Sequence, residues 1–242
     1  MTIPGDIIIP ALTFRTAGGE LDEATTTRYA ESAAGTWLDY FILSGTTTEG
    51  DTFTVEERAQ VLDIWLKTTE TARLVACCWE RGDIDAALER SIRPMAVMRG
   101  LRDEDEAIAF FRTLPAGTFV YSHPIHSPWT LDGPLLRRCR AENRLPAGAK
   151  ISKVSVDFLR QVHATANHFV LWDGSSRHLR ESLEAGAGGV VATSLAALPR
   201  PFPRADLTDL SIFLSSSQAR LDAVPEKRRA SWLRNEFQNT HL

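Results

Sequence analysis

The chain has 242 residues, of which 43% are hydrophobic and 24% are charged, and its formal net charge is −4. This composition is typical of a globular protein and argues against a disordered chain. The negative charge and the lack of a basic patch argue against a nucleic-acid partner, and no apolar run approaches the roughly 18 residues that a membrane span needs. Three cysteines without disulfide or metal-ligand spacing, and an N-terminus without a signal-peptide pattern, predict a cytoplasmic protein with no metal site.

Eight apolar runs recur along the chain and predict eight β-strands. They lie at residues 6–14, 38–45, 73–79, 93–98, 117–122, 149–155, 168–174 and 188–194. Nearly continuous apolar strands that alternate with helical patterns indicate parallel strands covered by helices. We therefore predict an α/β protein with a (β/α)8 TIM barrel fold, and a doubly wound open sheet is the alternative.

The clearest helical pattern follows the second of these runs. Residues 55–66 carry apolar side chains at spacings of three and four, which is one face of a helix. Thr54 followed by Glu57 forms a capping box at its start. The sequence therefore predicts a helix directly after the loop that leaves strand 2.

The alternation of apolar runs and helical patterns stops at Pro199, and the proline-rich sequence "RPFPR" follows it. Two further helices are predicted beyond it, near 205–222 and 225–238. We predict that residues 1–200 form the barrel and that residues 201–242 form its last helix and a short C-terminal helical extension.

In a barrel of this kind, reactive groups stand at the C-terminal ends of the strands. Tyr121 ends strand 5, and Lys153 lies near the end of strand 6, on the face that it shares with Ala149 and Ile151. A lysine inside a barrel loses its hydration, which favours an uncharged amine that can form an imine with a carbonyl. Lys150 lies on the opposite face and is predicted to extend outward, and it is the alternative imine lysine.

A loop rich in hydroxyl residues, "SGTTTEGDTFT", follows strand 2. Turns of this kind expose backbone N–H groups and hydroxyls that can bind a carboxylate or a phosphate. An ordinary loop that ends in a helix cap is the alternative interpretation.

Five segments, taken in order, resemble one known family. "ALTFRTAGGELD", "GTTTEGDTFTVEER", "VYSHP", "ISKVSVDFLRQV" and "FVLWDGSSRHLRESLEAGAGGVVATSLAALP" are similar to motifs of the dihydrodipicolinate synthase/N-acetylneuraminate lyase superfamily. The similarity covers residues 5 to about 200. It implies a (β/α)8 barrel that acts on pyruvate or a related 2-oxo acid.

The resemblance also implies a role for individual residues. Lys153 is placed at the imine-forming position, Tyr121 is the proton shuttle, and Thr46 joins them as a catalytic residue. The substrate-binding positions are Thr46, Thr47, His123, His126, Gly174 and Val191. The imine is covalent on lysine, so no cofactor is expected.

Several departures from the family pattern argue against dihydrodipicolinate synthesis itself. Thr48 replaces a glycine, which would crowd the turn if the backbone there needs a positive φ. His126 stands where those synthases carry an arginine for the second substrate, and the exit of strand 4 lacks the tyrosine that they lend across a subunit interface. We expect a second-substrate pocket rebuilt around His123 and His126, with Trp129 or Trp172 as a further member. The alternative is that the two histidines are solvent-facing loop residues, and substrate contact is favoured for His126 only.

The sequence thus predicts a lyase or aldolase that makes or breaks a carbon–carbon bond through an imine on Lys153. One alternative is a hydratase or dehydratase that uses the same imine, and another is a degenerate barrel that binds a small molecule or a protein partner. We expect a small-molecule 2-oxo acid as substrate, no nucleic acid or membrane partner, and a homo-oligomer that is a dimer or a tetramer.

Overall fold

The computed structural model describes residues 5–166, 168–197 and 206–241. In these residues eight parallel strands close into a barrel in the order of the chain. The strands are β1 (Asp6–Pro10), β2 (Tyr40–Leu43), β3 (Leu74–Cys78), β4 (Arg93–Val97), β5 (Phe119–Ser122), β6 (Gly148–Ile151), β7 (Val170–Asp173) and β8 (Gly189–Val191). The predicted (β/α)8 barrel is confirmed, and the open sheet is not formed.

Within the described ranges, nine α-helices accompany the strands. They are α1 (Glu23–Ala34), α2 (Val55–Leu66), α3 (Arg81–Glu89), α4 (Glu104–Arg112), α5 (Gly133–Ala141), α6 (Val156–Thr165), α7 (Leu179–Glu184), α8 (Leu207–Asp222) and α9 (Arg229–His241). Each of β1–β7 is followed by a helix, and α8 and α9 form the predicted C-terminal helices. No helix in these ranges is both long and apolar enough to cross a membrane.

The proline-rich break "RPFPR" lies outside the described residues. The proposed boundary between residues 200 and 201 falls there as well. The division into a barrel and a C-terminal extension therefore stays a prediction.

Alternate side chains of the strands fill the barrel interior, because successive residues of a strand point to opposite faces. The interior cluster consists of Ile8, Ile42, Val75, Cys77, Trp79, Met95, Val97, Phe119, Tyr121, Trp172 and Val191, with Tyr40 packed against it. The residues between them, such as Ile7 and Ile9, face the helices. This alternation between inward-facing and outward-facing residues decides which strand residues can reach a site at the barrel mouth.

The helix that follows β2 begins as the sequence predicts. The Thr54 hydroxyl accepts a hydrogen bond from the Glu57 backbone N–H at 3.1 Å, and the Glu57 carboxylate accepts one from the Thr54 N–H at 2.9 Å. Caps of this type stabilise a helix end by about 1 kcal/mol. We call residues 44–54, between β2 and α2, the threonine loop. The capping box fixes where this loop ends and α2 begins.

The C-terminal helix α9 packs beside the end of β1. The ring centre of Phe237 lies 5.5 Å from that of Phe14 and 5.1 Å from that of Tyr29, which is a residue of α1. All three rings are buried. The C-terminal extension is thus joined to the barrel by an aromatic cluster near the threonine loop.

Candidate active site

A lysine and a tyrosine lie side by side at the C-terminal end of the barrel. Lys150 of β6 is in register with Tyr121 of β5 and with Trp172 of β7, and both of these neighbours belong to the interior cluster. The Lys150 Nζ lies 3.9 Å from the ring centre of Tyr121. Lys150 is 5% exposed and Tyr121 is 2% exposed, so both groups are almost completely removed from water.

Lys153, the predicted imine lysine, does not lie in the barrel. β6 ends at Ile151, and Lys153 follows in a left-handed conformation with φ 62°. Its side chain is 51% exposed, and its Nζ lies 3.4 Å from a carboxylate oxygen of Glu226.

The prediction of which strand face points inward was therefore wrong. Ala149 and Ile151, which were expected to share the inner face with Lys153, pack under the helices, and Lys150 points inward instead of outward. A sequence signal for this existed. In the superfamily that the sequence resembles, the segment corresponding to "ISKVSVDFLRQV" begins with the motif "GIK". Gly148-Ala149-Lys150 matches this motif at the glycine and the lysine, whereas Ile151-Ser152-Lys153 lacks the glycine.

The loop after β2 brings Thr46 to the same place. The Thr46 hydroxyl lies 3.3 Å from the Tyr121 hydroxyl and 3.0 Å from Nε2 of His126, so it is within hydrogen-bond distance of both groups. The backbone N–H groups of Thr46 and Thr47 have no hydrogen-bond acceptor in the described part of the chain. The loop therefore offers two free N–H donors and a hydroxyl beside Tyr121.

Thr48 does not strain this loop. Its φ is not positive, its side chain is buried, and its hydroxyl donates to the Gly45 carbonyl at 3.0 Å. The left-handed residues are Ser44 and Glu49, and the position that demands a glycine is Gly50, where a Cβ would lie 1.8 Å from the Ser44 carbonyl oxygen. The expected crowding at Thr48 is therefore not found.

Both predicted histidines stand next to Tyr121. The ring centres of His123 and His126 each lie 5.9 Å from that of Tyr121 and 5.5 Å from one another. Burial lowers the pKa of His123 to about 4, and the positive charge of Lys150 acts in the same direction. Burial also lowers the pKa of His126, so both imidazoles are uncharged at neutral pH.

The structure adds Trp79, which the sequence did not single out. Its indole N–H donates to the Ser44 carbonyl at 2.8 Å, and its ring stands edge-on to His126 with the centres 4.9 Å apart. Trp79 therefore connects the start of the threonine loop to the imidazole of His126.

Gly174 and Val191 are the two remaining predicted substrate-binding positions. Gly174 directly follows β7, and Val191 is the last residue of β8. The Gly174 N–H donates to the Ile151 carbonyl at 2.7 Å, and a Cβ at Gly174 would lie 1.9 Å from the hydroxyl of Ser152. This close approach explains the glycine. Val191 is 1% exposed in the interior cluster. Substrate contact by either residue stays a prediction.

Among the described residues, neither a metal site nor a reactive thiol accompanies this cluster. No group of three or more histidine, cysteine or carboxylate side chains there is arranged to hold a metal ion. Cys77 faces the barrel interior, and burial raises the pKa of its thiol to about 12, which leaves it protonated at neutral pH. The buried Lys150 amine, 3.9 Å from the ring centre of Tyr121, is therefore the candidate nucleophile of this site.

Comparison with known proteins identifies the fold. No protein-family model and no curated protein matches the chain. Among solved structures, a protein from Coccidioides immitis described as of the dihydrodipicolinate synthase family is 22% identical, with a TM-score of 0.78, over 94% of this chain and 83% of that one. The chain has the fold of the dihydrodipicolinate synthase/N-acetylneuraminate lyase superfamily.

Two further solved structures of this superfamily show the same likeness. The sialic acid aldolase of Ruminococcus gnavus is 14% identical, with a TM-score of 0.73, over 97% of this chain and 78% of that chain. A variant of the 2-keto-3-deoxygluconate aldolase of Sulfolobus solfataricus, solved as a pyruvate complex, is 17% identical, with a TM-score of 0.69. The match covers 95% of this chain and 76% of that chain. The resemblance seen in the sequence is thus confirmed for the fold.

Proposed function

We propose that the chain is a class I aldolase or lyase that forms an imine between Lys150 and the carbonyl carbon of pyruvate or a related 2-oxo acid. The observation that carries this proposal is a buried amine at the barrel mouth that faces Tyr121. In the part of the chain that the structure describes, no carboxylate lies within ion-pair distance of Lys150. A buried ammonium without such a partner is costly, and residues that bear this cost are concentrated at functional sites.

The solved structures that share this fold include enzymes of the proposed class. Several are aldolases by name, and the enzyme from Sulfolobus solfataricus was solved with pyruvate. At their level of identity they support the fold alone. The assignment of the imine to Lys150 therefore rests on the geometry of this chain.

The residues of the site fit the steps of an imine mechanism. The Lys150 amine attacks the carbonyl carbon, and the carbonyl oxygen leaves as water. The free N–H groups of Thr46 and Thr47 bind the substrate carboxylate. The protonated imine withdraws electrons, so a proton leaves the neighbouring carbon and an enamine forms, with Tyr121 as the proton shuttle.

The enamine carbon then bonds to an acceptor aldehyde, and the reverse steps break that bond. We propose that no metal or other cofactor takes part, because the imine itself is the electron sink. The conformation of Thr48 gives no support to a degenerate barrel, since Thr48 itself is not left-handed and the loop keeps its free donors. A hydratase that uses the same imine differs only in the last step and is distinguished by its products.

Borohydride reduction in the presence of pyruvate tests the assignment. We expect a stable adduct, which peptide mass spectrometry locates on Lys150, and Lys150→Met abolishes it. Lys153→Gly is the matched control, because the φ of 62° at this position suits a glycine and the lysine there is exposed. An adduct on Lys153, or none in the unaltered chain, would contradict the proposal.

A further inference from the structure

Three groups form a continuous chain of hydrogen bonds at the barrel mouth. The Tyr121 hydroxyl lies 3.3 Å from the Thr46 hydroxyl, which lies 3.0 Å from Nε2 of His126. A hydroxyl carries one proton and two acceptor lone pairs, so Thr46 can receive a proton on one side while it releases its own on the other. This series of hydrogen bonds begins at Tyr121, where the imine would form, and ends at the imidazole of His126.

Two backbone hydrogen bonds hold the loop that carries His126, and one aromatic contact holds its ring. The backbone N–H of Gly100, in the loop after β4, donates to the His126 carbonyl at 2.9 Å, and the His126 N–H donates to the His123 carbonyl at 3.0 Å. The edge of the ring meets the indole of Trp79. The backbone of His126 and one edge of its ring are therefore held by the protein itself, with Nε2 3.0 Å from the Thr46 hydroxyl.

The surroundings of His126 keep it uncharged before the reaction. The charged groups that face it are Asp51, Arg99 and Lys150, and the uncharged rings of Tyr121 and His123 complete its environment. Burial is the main cause of its lowered pKa, the two cations contribute, and Asp51 opposes them. With a proton on Nδ1, Nε2 is free to accept one from Thr46.

We propose that His126 is the outer end of a proton relay, Tyr121–Thr46–His126, that stores the substrate proton within a single chain between the two halves of the reaction. The proposal rests on the imine at Lys150. It assigns to His126 a role in proton transfer that goes beyond contact with a second substrate.

The relay balances protons and charge. When the C–H bond next to the protonated imine breaks, its electron pair becomes the C=C bond of the enamine and the imine nitrogen becomes neutral. The released proton goes to the Tyr121 oxygen, the Tyr121 proton goes to Thr46, and the Thr46 proton goes to Nε2 of His126, which becomes an imidazolium. When the enamine carbon attacks an aldehyde, the same proton returns through Thr46 and Tyr121 to the new alkoxide.

Exchange of the pyruvate methyl protons in D2O, followed by NMR, tests the relay apart from the imine. General acid–base groups contribute about 10²–10⁴-fold, so we expect His126→Gln and Thr46→Val each to slow exchange by about 10²-fold or more. The double variant should be no slower than the slower single one. Borohydride trapping on Lys150 should persist in all three, which also shows that they fold. His168→Gln, at an exposed position before β7, is the control.

The pH dependence of exchange provides a readout that a structural role would not change. Exchange by the unaltered chain should fall as the pH drops through the lowered pKa of His126, because an imidazolium cannot accept the proton. This acidic limb should be lost in His126→Gln.

The other possible results of these experiments contradict either the relay alone or both the relay and the imine. Normal trapping with unchanged exchange in His126→Gln, or an acidic limb that survives in that variant, would overturn the relay and leave the imine proposal intact. Absence of an adduct in the unaltered chain would overturn both proposals.

Discussion

The guanidinium of Arg234 on α9 donates a hydrogen bond at 3.0 Å to the backbone carbonyl of Thr48, which lies 186 residues earlier in the chain. The same guanidinium donates to the Glu49 carboxylate at 2.8 Å and to the Thr13 carbonyl at 2.9 Å. The C-terminal helix therefore holds the threonine loop from outside the barrel, while the Thr46 hydroxyl faces Tyr121 inside it.

Replacing Arg234 should weaken both the fold and the binding of the 2-oxo acid. In Arg234→Met two carbonyls lose a donor, so we expect the free energy of unfolding to fall by about 1–3 kcal/mol. The pyruvate concentration for half-maximal borohydride trapping should rise, because Thr46 and Thr47 are no longer held in position. Arg220→Met is the control, since Arg220 is exposed and pairs with Glu236 away from the loop. An equal effect in both variants would contradict the role of Arg234.

The barrel could be predicted from the sequence because its strands are short apolar runs between helical patterns. In a parallel sheet covered by helices, both faces of each strand are apolar, so each strand appears in the sequence as an apolar run. The run shows that a strand exists, although it does not show at which residues the strand begins and ends. Tyr121 was placed correctly for a related reason: it ends an apolar run, and strand ends meet at one mouth.

The inner face of β6 could not be assigned reliably from the same pattern. A strand buried on both sides shows no alternation of polar and apolar residues, so the direction of Lys150 depends on where the strand starts and stops. The predicted strand extended to residue 155, whereas the real one ends at Ile151. Lys153 then lies in the loop, where the alternation between inward-facing and outward-facing residues no longer applies.

Contacts made by Trp79 and Arg234 were invisible for a different reason. Each depends on packing between segments far apart in the sequence, and neither residue belongs to a motif of its own. Only the folded chain shows that Trp79 meets His126 and that Arg234 reaches Thr48.

A buried ion pair supports the other side of the threonine loop. Arg58 of α2 donates to Asp83 of α3 at 2.7 Å, both side chains are 4% exposed, and Arg58 also donates to the Gly50 carbonyl at 3.2 Å. We expect Asp83→Asn to lower the free energy of unfolding by about 3 kcal/mol, because it leaves a buried guanidinium poorly compensated.

The exposed Arg90–Asp63 pair provides the matched control for this variant. Asp63→Asn should cost at most about 1 kcal/mol, because water screens an exposed pair. Urea unfolding of the two variants measures the difference. Equal losses would show that burial of the Arg58–Asp83 pair does not matter.

The stability of the chain should depend on pH through Asp173. Burial between β7 and α7 raises the pKa of its carboxyl group, although the Ser182 hydroxyl and the Ser175 N–H donate hydrogen bonds to it. The folded chain then binds this proton more tightly than the unfolded chain. The ionised form therefore costs stability at neutral pH, and the cost disappears as the pH falls below the ordinary pKa.

The unaltered chain should therefore gain stability relative to Asp173→Asn when the pH is lowered from about 7 to about 4. Asp63 provides a comparison of opposite sign, because hydrogen bonds from Arg90 lower its pKa. Relative to Asp63→Asn, the unaltered chain should lose stability only as the pH falls below about 4, the ordinary pKa of an aspartate. Urea unfolding at several pH values checks both slopes, and a flat difference for Asp173→Asn would show that its carboxyl group is not buried as described.

Two glycines of the threonine loop give a sharp test of its conformation. A Cβ at Gly50 would lie 1.8 Å from the Ser44 carbonyl oxygen, so Gly50→Ala must displace backbone, whereas a Cβ at Gly45 meets only the Ile42 side chain at 3.5 Å. Backbone strain of this kind costs about 1–3 kcal/mol. We expect Gly50→Ala to lose this much stability and to trap pyruvate poorly, because the donors at Thr46 move.

Gly45→Ala, which adds the same methyl group five residues earlier, should stay within about 1 kcal/mol of the unaltered chain in urea unfolding, because nothing rigid lies near its Cβ. The comparison isolates the close approach of Gly50 to Ser44 from the general effect of adding a methyl group to this loop. If both variants unfold at the same urea concentration, the loop does not fold back onto Ser44. The free N–H groups of Thr46 and Thr47 would then lose their fixed position near Tyr121, and with it their place in the proposed carboxylate site.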